Sequence, residues 1–451
     1  MSENRKEFNE SERTADAARP ENKVKPLRII LSAAILVIVF FAGFLTNCLV
    51  AGRTATNLNL VLKLIGEEGV FITKTPSGED LSGDELIKAV VAAALKEDKY
   101  AEYYTAEEFG IIKKEDKGSY EGLGINVYTK QSGYYNAVYS VTLNSPAEKA
   151  GLREGDVFLA ASYDGGEYKT LDSGYDVADF LNDNPGTGEC KFKVKRDGVF
   201  TEKEFTVKRA AYNASYVKIY VREGSFVVST DKSAELSPRE DRIEGLSDDA
   251  AVIRFARFSG DAAGQFKAAA EYLKNNGKTK LVLDLRGNGG GQMTILENIA
   301  GYLIDNGGKT GTVSVCRGKS EKHTEVFSTK FNAYLSFLTK TVVIADQNTA
   351  SASEALIGAM LYYGAAERDN NFSLSDLVIV KPEGSEKAAT YGKGIMQTTY
   401  NLVGGSALKL TTAKIYWPDG QTCIHETGIV ATEENSVTAE NAMARALRIL
   451  G

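Results

Sequence analysis

From Ile29 to Val50 the chain reads IILSAAILVIVFFAGFLTNCLV, 22 residues without a charge. As a helix rising about 1.5 Å per residue, that run spans roughly 33 Å, enough to cross the hydrocarbon core of a bilayer. A single N-terminal transmembrane helix is therefore expected, uncleaved. Lys23, Lys25 and Arg28 lie just before it and only Arg53 lies close behind. The positive-inside rule then places residues 1–28 in the cytoplasm and the long remainder on the outer side. A signal peptide fits less well, because the apolar run is too long and no small-residue cleavage site comes after it. Thr46 and Asn47 before Cys48 also make a poor lipoprotein box.

Composition narrows the class of the long remainder. The 451 residues predict more than one domain, and 43% hydrophobic with 25% charged residues is ordinary for globular chains. A net charge of −7 argues against a nucleic-acid partner, which would call for a basic face. Cys48, Cys190, Cys316 and Cys423 stand far apart with no C-x-x-C pair, so neither a metal site nor a disulfide framework is signalled.

Along the chain, residues 1–28 read as a disordered tail and 51–111 as a helical lead-in. Within the lead-in, DELIKAVVAAALKED carries Leu86, Ile87, Val90, Val91 and Ala94 at helical spacing. Residues 112–210 hold short β-type runs, GLGINVYT, YNAVYSVTL, CKFKVKRDG and EFTVKRA, interrupted by NSPAEKAGLREGD and by the helical YDVADFLNDN. Residues 211–451 alternate strands and helices: KLVLDLR, MTILENIAGYLIDN, TVVIAD, SEALIGAMLYYG. Such alternation implies parallel βαβ units. The fold class expected is thus multidomain α/β.

In YEGLGI, Gly122 and Gly124 let successive backbone N–H groups converge, which suits capture of a carboxylate. A strand beside such a loop can take up an extended peptide by strand addition. Leu123, Gly124 and Ile125 would form one wall of the pocket, with Val177, Phe180 or Leu181 of the helix opposite. Alone, GLGI reads as a glycine-rich hairpin. Followed by SPAEKAGLREGDVFLA, it resembles the PDZ domains of bacterial proteases, so a PDZ-like domain is expected over residues 112–210.

Candidate chemistry concentrates in NTASASEALIGAM, where Thr349, Ser351 and Ser353 alternate with alanines before an apolar helical run. Ser351-Ala-Ser-Glu354 matches a capping box. A nucleophile at that position would gain from helix-start N–H groups aimed at a developing oxyanion. The chain has only two histidines, His323 and His425, both in turn-like surroundings, so a Ser-His-Asp triad has thin support. In TYGKGIMQ, Lys393 sits between two glycines. If a strand comes next, Lys393 and Gln397 share a face, and Gln397 could hold the amine. A lysine base near neutral pH must drop about three units from ~10.4, which burial can supply. LVLDLRGNGGGQM reads as a buried strand ending in a glycine turn. It lacks a nucleotide-binding register and could supply half of an oxyanion hole.

Together LVLDLRGNGGG, VVIADQNTASASEALIGAM, TYGKGIMQ and GSALKLTTAKIYWPDGQ resemble the C-terminal processing peptidases, or tail-specific proteases, from about residue 84 onward. The resemblance implies Ser351 as nucleophile, Lys393 as general base and Gln397 as the residue orienting it. The oxyanion hole would be formed by the N–H groups of Ala352 and of Gly290 or Gly291. No metal or cofactor is implied. The implied protein is a Ser-Lys endopeptidase anchored in a bacterial cell membrane and acting on extracytoplasmic substrates near their C-termini. Expected partners are proteins or peptides with exposed C-termini and the membrane, with a homodimer left open. The rival reading is a catalytically silent PDZ-based peptide sensor. Two departures from the family pattern are visible: a longer link between Ser351 and Lys393, over residues 365–390, and Arg-Gly-Asn-Gly-Gly-Gly where many members have Asn-Pro-Gly-Gly.

Overall fold

The computed structural model describes residues 83–128, 136–196, 202–229, 235–320, 323–364, 372–385 and 388–451. The expected anchor, Ile29–Val50, and the N-terminal tail lie outside them. Among the described residues, no helix is long and apolar enough to cross a membrane. The chain divides into two units at Val90/Val91, inside helix α1 (Gly83–Ala94). The PDZ-like region and the expected peptidase core therefore share the second unit.

The lead-in is not helical throughout. After α1 the chain forms a short strand, β1 (Glu102–Tyr104), and then α2 (Ala106–Asp116), started by a capping box between Thr105 and Glu108. The period-3.6 signal hid β1 because the strand is only three residues long and is stabilised by a distant partner.

Next come β2 (Ser119–Gly122), β3 (Ile125–Val127), β4 (Val138–Val141), α3 (Pro146–Ala150), β5 (Val157–Tyr163) and β6 (Lys169–Thr170). They are followed by α4 (Val177–Asp183), β7 (Glu189–Lys195), β8 (Lys203–Lys208) and β9 (Ala210–Asn213). Strands β6, β5, β7 and β8 form an antiparallel sheet in that order, β3 pairs with β4, and β2 with β9. In SPAEKAG, Ser145 caps α3, Pro146 opens it and Gly151 closes it in the left-handed region. The small core gathers Leu123, Phe158, Phe180, Phe192 and Val194. Val177 and Phe180 are 1% and 2% exposed within it. They are core residues here and not walls of an open pocket, because α4 presents its apolar face inward against Phe192. Leu181 is partly buried against the same core.

The large sheet is built from β10 (Val217–Val221), β11 (Gly224–Ser229), β12 (Glu235–Arg239), β13 (Ala250–Phe255), β14 (Lys280–Asp284), β17 (Lys340–Ala345), β18 (Leu377–Val380) and β21 (Ser436–Val437). Its order is β12-β11-β10-β13-β14-β17-β18-β21, antiparallel as far as β13 and parallel from there on. The expected βαβ units are present. Helices α5 (Ala262–Asn275), α6 (Met293–Leu303) and α7 (Ala352–Gly364) cover one face, and α8 (Ala439–Leu450) covers the other. Burial on both faces explains the near-continuous apolar runs KLVLD and KTVVIA. A further antiparallel sheet joins β1, β20 (Ala407–Tyr416), β15 (Thr312–Gly318) and β16 (Thr324–Ser328), with β19 (Ile395–Asn401) also paired to β20.

Strand β18 falls within the long link between Ser351 and Lys393. Part of that link is a buried strand inside the sheet, registered Val343↔Leu377 and Ala345↔Ile379.

Candidate active site

Three turns meet at the carboxyl ends of β14 and β17, and backbone hydrogen bonds knit them together. After β14, Asn288 is fully buried. Its side-chain amide donates to Phe255 O at 2.9 Å, and its own carbonyl accepts from Ala350 N–H at 3.0 Å and from Ser353 Oγ at 2.9 Å. After β17, Thr349 Oγ1 donates to Leu285 O at 2.9 Å, while Thr349 O accepts from Tyr391 N–H at 3.0 Å. The third turn, carrying Lys393, is thus bonded directly to the serine turn.

The alternating hydroxyls separate cleanly. Thr349 and Ser353 are both 0% exposed and committed to backbone acceptors. Ser351 is half-buried, lines the cleft, and its Oγ makes no hydrogen bond among the described residues. It also stands at φ 57°, a left-handed conformation that a side chain bearing a Cβ adopts only when its surroundings impose it. The capping box is realised by half. Glu354 Oε2 accepts from Ser351 N–H at 2.9 Å, but Ser351 Oγ does not accept in return, so the hydroxyl stays available.

Glu354 does more than its cap position announces. Its buried carboxylate also accepts from Gly392 N–H at 2.8 Å, Lys393 N–H at 2.9 Å and Thr390 Oγ1 at 2.5 Å. One side chain thereby ties the serine and lysine turns together. Burial pushes its pKa up, and the four donors pull the other way. Sequence reading missed this role because the partners lie 36 to 39 residues away.

The glycine turn lies against Ser351. A Cβ at Gly290 would stand 2.7 Å from Ala350 O, 2.8 Å from Ala352 N and 2.9 Å from Ser351 Cβ, so only glycine permits this approach. Gly290 N–H is already bonded to Asn288 Oδ1 at 3.0 Å. Gly291 is exposed, and its N–H has no acceptor among the described residues. Ala352 N–H opens helix α7, where the first amides have no intrahelical partner. Of the two glycines left open by sequence, Gly291 therefore keeps the free donor.

Lys393 is half-buried in the same cleft, of about 2450 Å³, with Gln397, Met396, Arg257 and Gly289–Gly291. Burial lowers its pKa below the usual lysine value, and the like charges of Lys409 and Arg257 add to that. Its Nζ lies over the Tyr100 ring, 4.7 Å from the centroid, and makes no hydrogen bond among the described residues. Gln397 does not hold it. A bulge between Met396 and Gln397 breaks strict alternation, and the Gln397 amide donates to Thr411 Oγ1 at 3.4 Å. His323 bonds Ser320, and neither His323 nor His425 lines the cleft.

Leu123, Gly124 and Ile125 line the other end of this cleft. Leu123 O and Gly124 O accept from Ala147 and Thr142, while the N–H groups of Leu123 and Gly124 have no acceptor among the described residues. Among the described residues, no cluster of side chains could hold a metal ion.

The sequence comparisons indicate a serine peptidase. Residues 249–367 and 386–434 match the profile of peptidase family S41. A Staphylococcus aureus (strain MRSA252) protein described as "Probable CtpA-like serine protease" is 29% identical over 408 residues, covering 89% of this chain and 69% of its own. Its Staphylococcus epidermidis counterpart is 28% identical over 350 residues, covering 77% of this chain and 60% of its own. Among solved structures, the photosystem II D1 C-terminal processing protease superposes with a TM-score of 0.44 at 21% identity, covering 82% of this chain and 85% of that one. The S41 profile thus matches the segments that carry Ser351 and Lys393, and the chain is similar to serine peptidases of that family.

Proposed function

We propose that the chain is a Ser-Lys endopeptidase with Ser351 as nucleophile and Lys393 as general base. The observation that carries this reading is the Glu354 carboxylate, which binds the backbone of both residues and holds them in one cleft. Neutral Lys393 takes the Ser351 proton as Oγ attacks the peptide carbonyl. The N–H groups of Ala352 and Gly291 bind the oxyanion. The lysine returns the proton to the leaving amine, and water then hydrolyses the acyl-enzyme with the same base. The departures of Gln397 and Gly290 from their expected contacts restrict the proposal: Gln397 is an accessory to Lys393, not its holder.

Residues 112–210 are proposed to capture substrate C-termini as a PDZ-like domain. The open amides of Leu123 and Gly124 support this, since two converging N–H groups match a carboxylate. The charge-free run Ile29–Val50 supports an anchored, extracytoplasmic enzyme. Reporter fusions at residues 10 and 100 should report cytoplasmic and external positions, and a surface-accessible residue 10 would reverse the topology.

The chemistry is tested by substitution. Ser351→Ala and Lys393→Ala should each lower cleavage of an unfolded protein by at least about a thousandfold, with the fold intact by circular dichroism. Lys393→Arg should not restore it, because a guanidinium keeps its proton. Ser353→Ala should retain measurable cleavage. Activity in Ser351→Ala but not in Ser353→Ala would transfer the nucleophile to the second hydroxyl.

A further inference from the structure

Tyr100 belongs to no motif, yet its ring is the contact that the structure gives to the Lys393 amine, at 4.7 Å. The ring is carried by a segment held firmly in place. Asp98 accepts from Thr411 N–H and from Thr411 Oγ1, each at 2.8 Å, and from Tyr100 N–H at 3.2 Å. Four residues on, β1 pairs with β20 through Glu102↔Lys409, Tyr103↔Leu408 and Tyr104↔Ala407. Lys409 Nζ reinforces that pairing with bonds to Glu102 at 2.8 Å and to the Tyr104 hydroxyl. Strand β20 in turn pairs with β19, which begins two residues after Lys393. The segment and the lysine turn thus hang from one strand.

We propose that residues 98–104 form a strap of the catalytic site and that Tyr100 is a positioning residue, its ring face fixing where the Lys393 amine rests. The proposal rests on the reading of Lys393 as the base. An aromatic face attracts an ammonium far more than a neutral amine. The ring therefore favours the protonated form, against the effect of burial and of the nearby cations. Other groups face the lysine turn as well. Lys99 lies on the strap, Tyr391 and Glu354 flank the turn, Lys409 is on β20, and Arg257 is on the cleft wall. His425 and Glu426 sit on the turn packed against Gly394 and Gly392. Tyr100→Leu and Tyr100→Phe both lose the hydroxyl's contacts with Tyr391, at 3.5 Å, and with Lys99, so the two variants differ from each other by the ring face.

The test is the pH profile of kcat/KM, measured with the full-length chain on a fluorogenic casein substrate. Tyr100→Leu keeps the amine covered but removes the ring face. Its acidic limb should move down by about half a unit, with kcat falling about tenfold as the amine loses its rest position. Tyr100→Phe keeps the face and should keep the wild-type limb. Asp98→Ala releases the strap and should shift the limb in the same direction. The double variant should add little to either single change. A coincident or upward-shifted limb in Tyr100→Leu, or in Asp98→Ala should Tyr100→Leu fail to fold, overturns the proposal. Lys393→Ala separates the two levels. If it stays active, the base assignment falls; if it is inactive while the Tyr100→Leu limb is unmoved, only the strap falls.

Discussion

At Lys393 stability and function pull in opposite directions. Its folded-state pKa is depressed by burial first and then by Lys409 and Arg257. The folded chain therefore disfavours the proton that the unfolded chain holds. The resulting penalty is present below the depressed folded pKa, shrinks as pH rises from there to the unfolded value, and is gone above it. Lys393→Met should accordingly raise Tm at neutral pH by about 1–3 °C while removing activity, and the gain should vanish at high pH. Under the proposed mechanism activity needs the free amine, so kcat/KM should rise with pH through the same ionisation. Arg257 acts on Lys393 as a like charge and on Asp116 as an opposite one, and Arg257→Gln removes both effects. Its acidic limb should move to higher pH; a limb moving down would contradict the electrostatic account. Glu354→Ala leaves the N–H groups of Ser351, Gly392 and Lys393 without their acceptor. It should cost on the order of 3–5 kcal/mol in urea unfolding, with cleavage lost. Unchanged stability would deny Glu354 its linking role.

At the scale of elements, α4 and β3 make opposite predictions. Phe180 is packed against Phe192 in the small core, so Phe180→Ala should cost about 3–5 kcal/mol and unfold residues 112–210 first by hydrogen exchange. Ile125 lines the cleft and is only partly buried against that core, so Ile125→Asp should cost clearly less than Phe180→Ala while ending any response to peptide C-termini. Equal destabilisation by both would place Ile125 in the core. Much of this was legible beforehand. The parallel strands announce themselves as apolar runs, because both faces of the sheet are covered. SPAEKAG announces α3 through its cap, its proline and its glycine. The link strand β18 and the three-residue β1 were not legible, since each is stabilised by partners dozens to hundreds of residues away. The same limit applies at the site. The motifs singled out Ser351 and Lys393, which the fold brings into one cleft, but the Glu354 bonds, the Tyr100 ring and the bulge displacing Gln397 depend on tertiary placement.

Across the whole second unit, one cleft runs from the open amides of Leu123 and Gly124 to Ser351 and Lys393. The small domain is clamped to the large sheet by the two-pronged Arg239–Glu148 pair, at 2.6 and 2.9 Å. Under the proposed capture, a bound C-terminus would act on the site by shifting how the two parts sit, not only by tethering substrate. Under the switch reading, a short peptide with a free apolar C-terminus should raise kcat on an unrelated unfolded substrate. The amidated peptide should not, and Arg239→Ala should blunt the effect. Slower cleavage with unchanged kcat would leave the domain as a docking site alone. Beneath all of this stands the identity of the nucleophile, and active-site labelling reads it most directly. The full chain is treated with a fluorophosphonate, digested, and the adduct mapped by mass spectrometry. The account predicts one adduct, on Ser351, absent from Ser351→Ala and strongly slowed in Lys393→Ala. An adduct on Ser353, or an enzyme that cleaves protein while Ser351 stays unmodified, would contradict it.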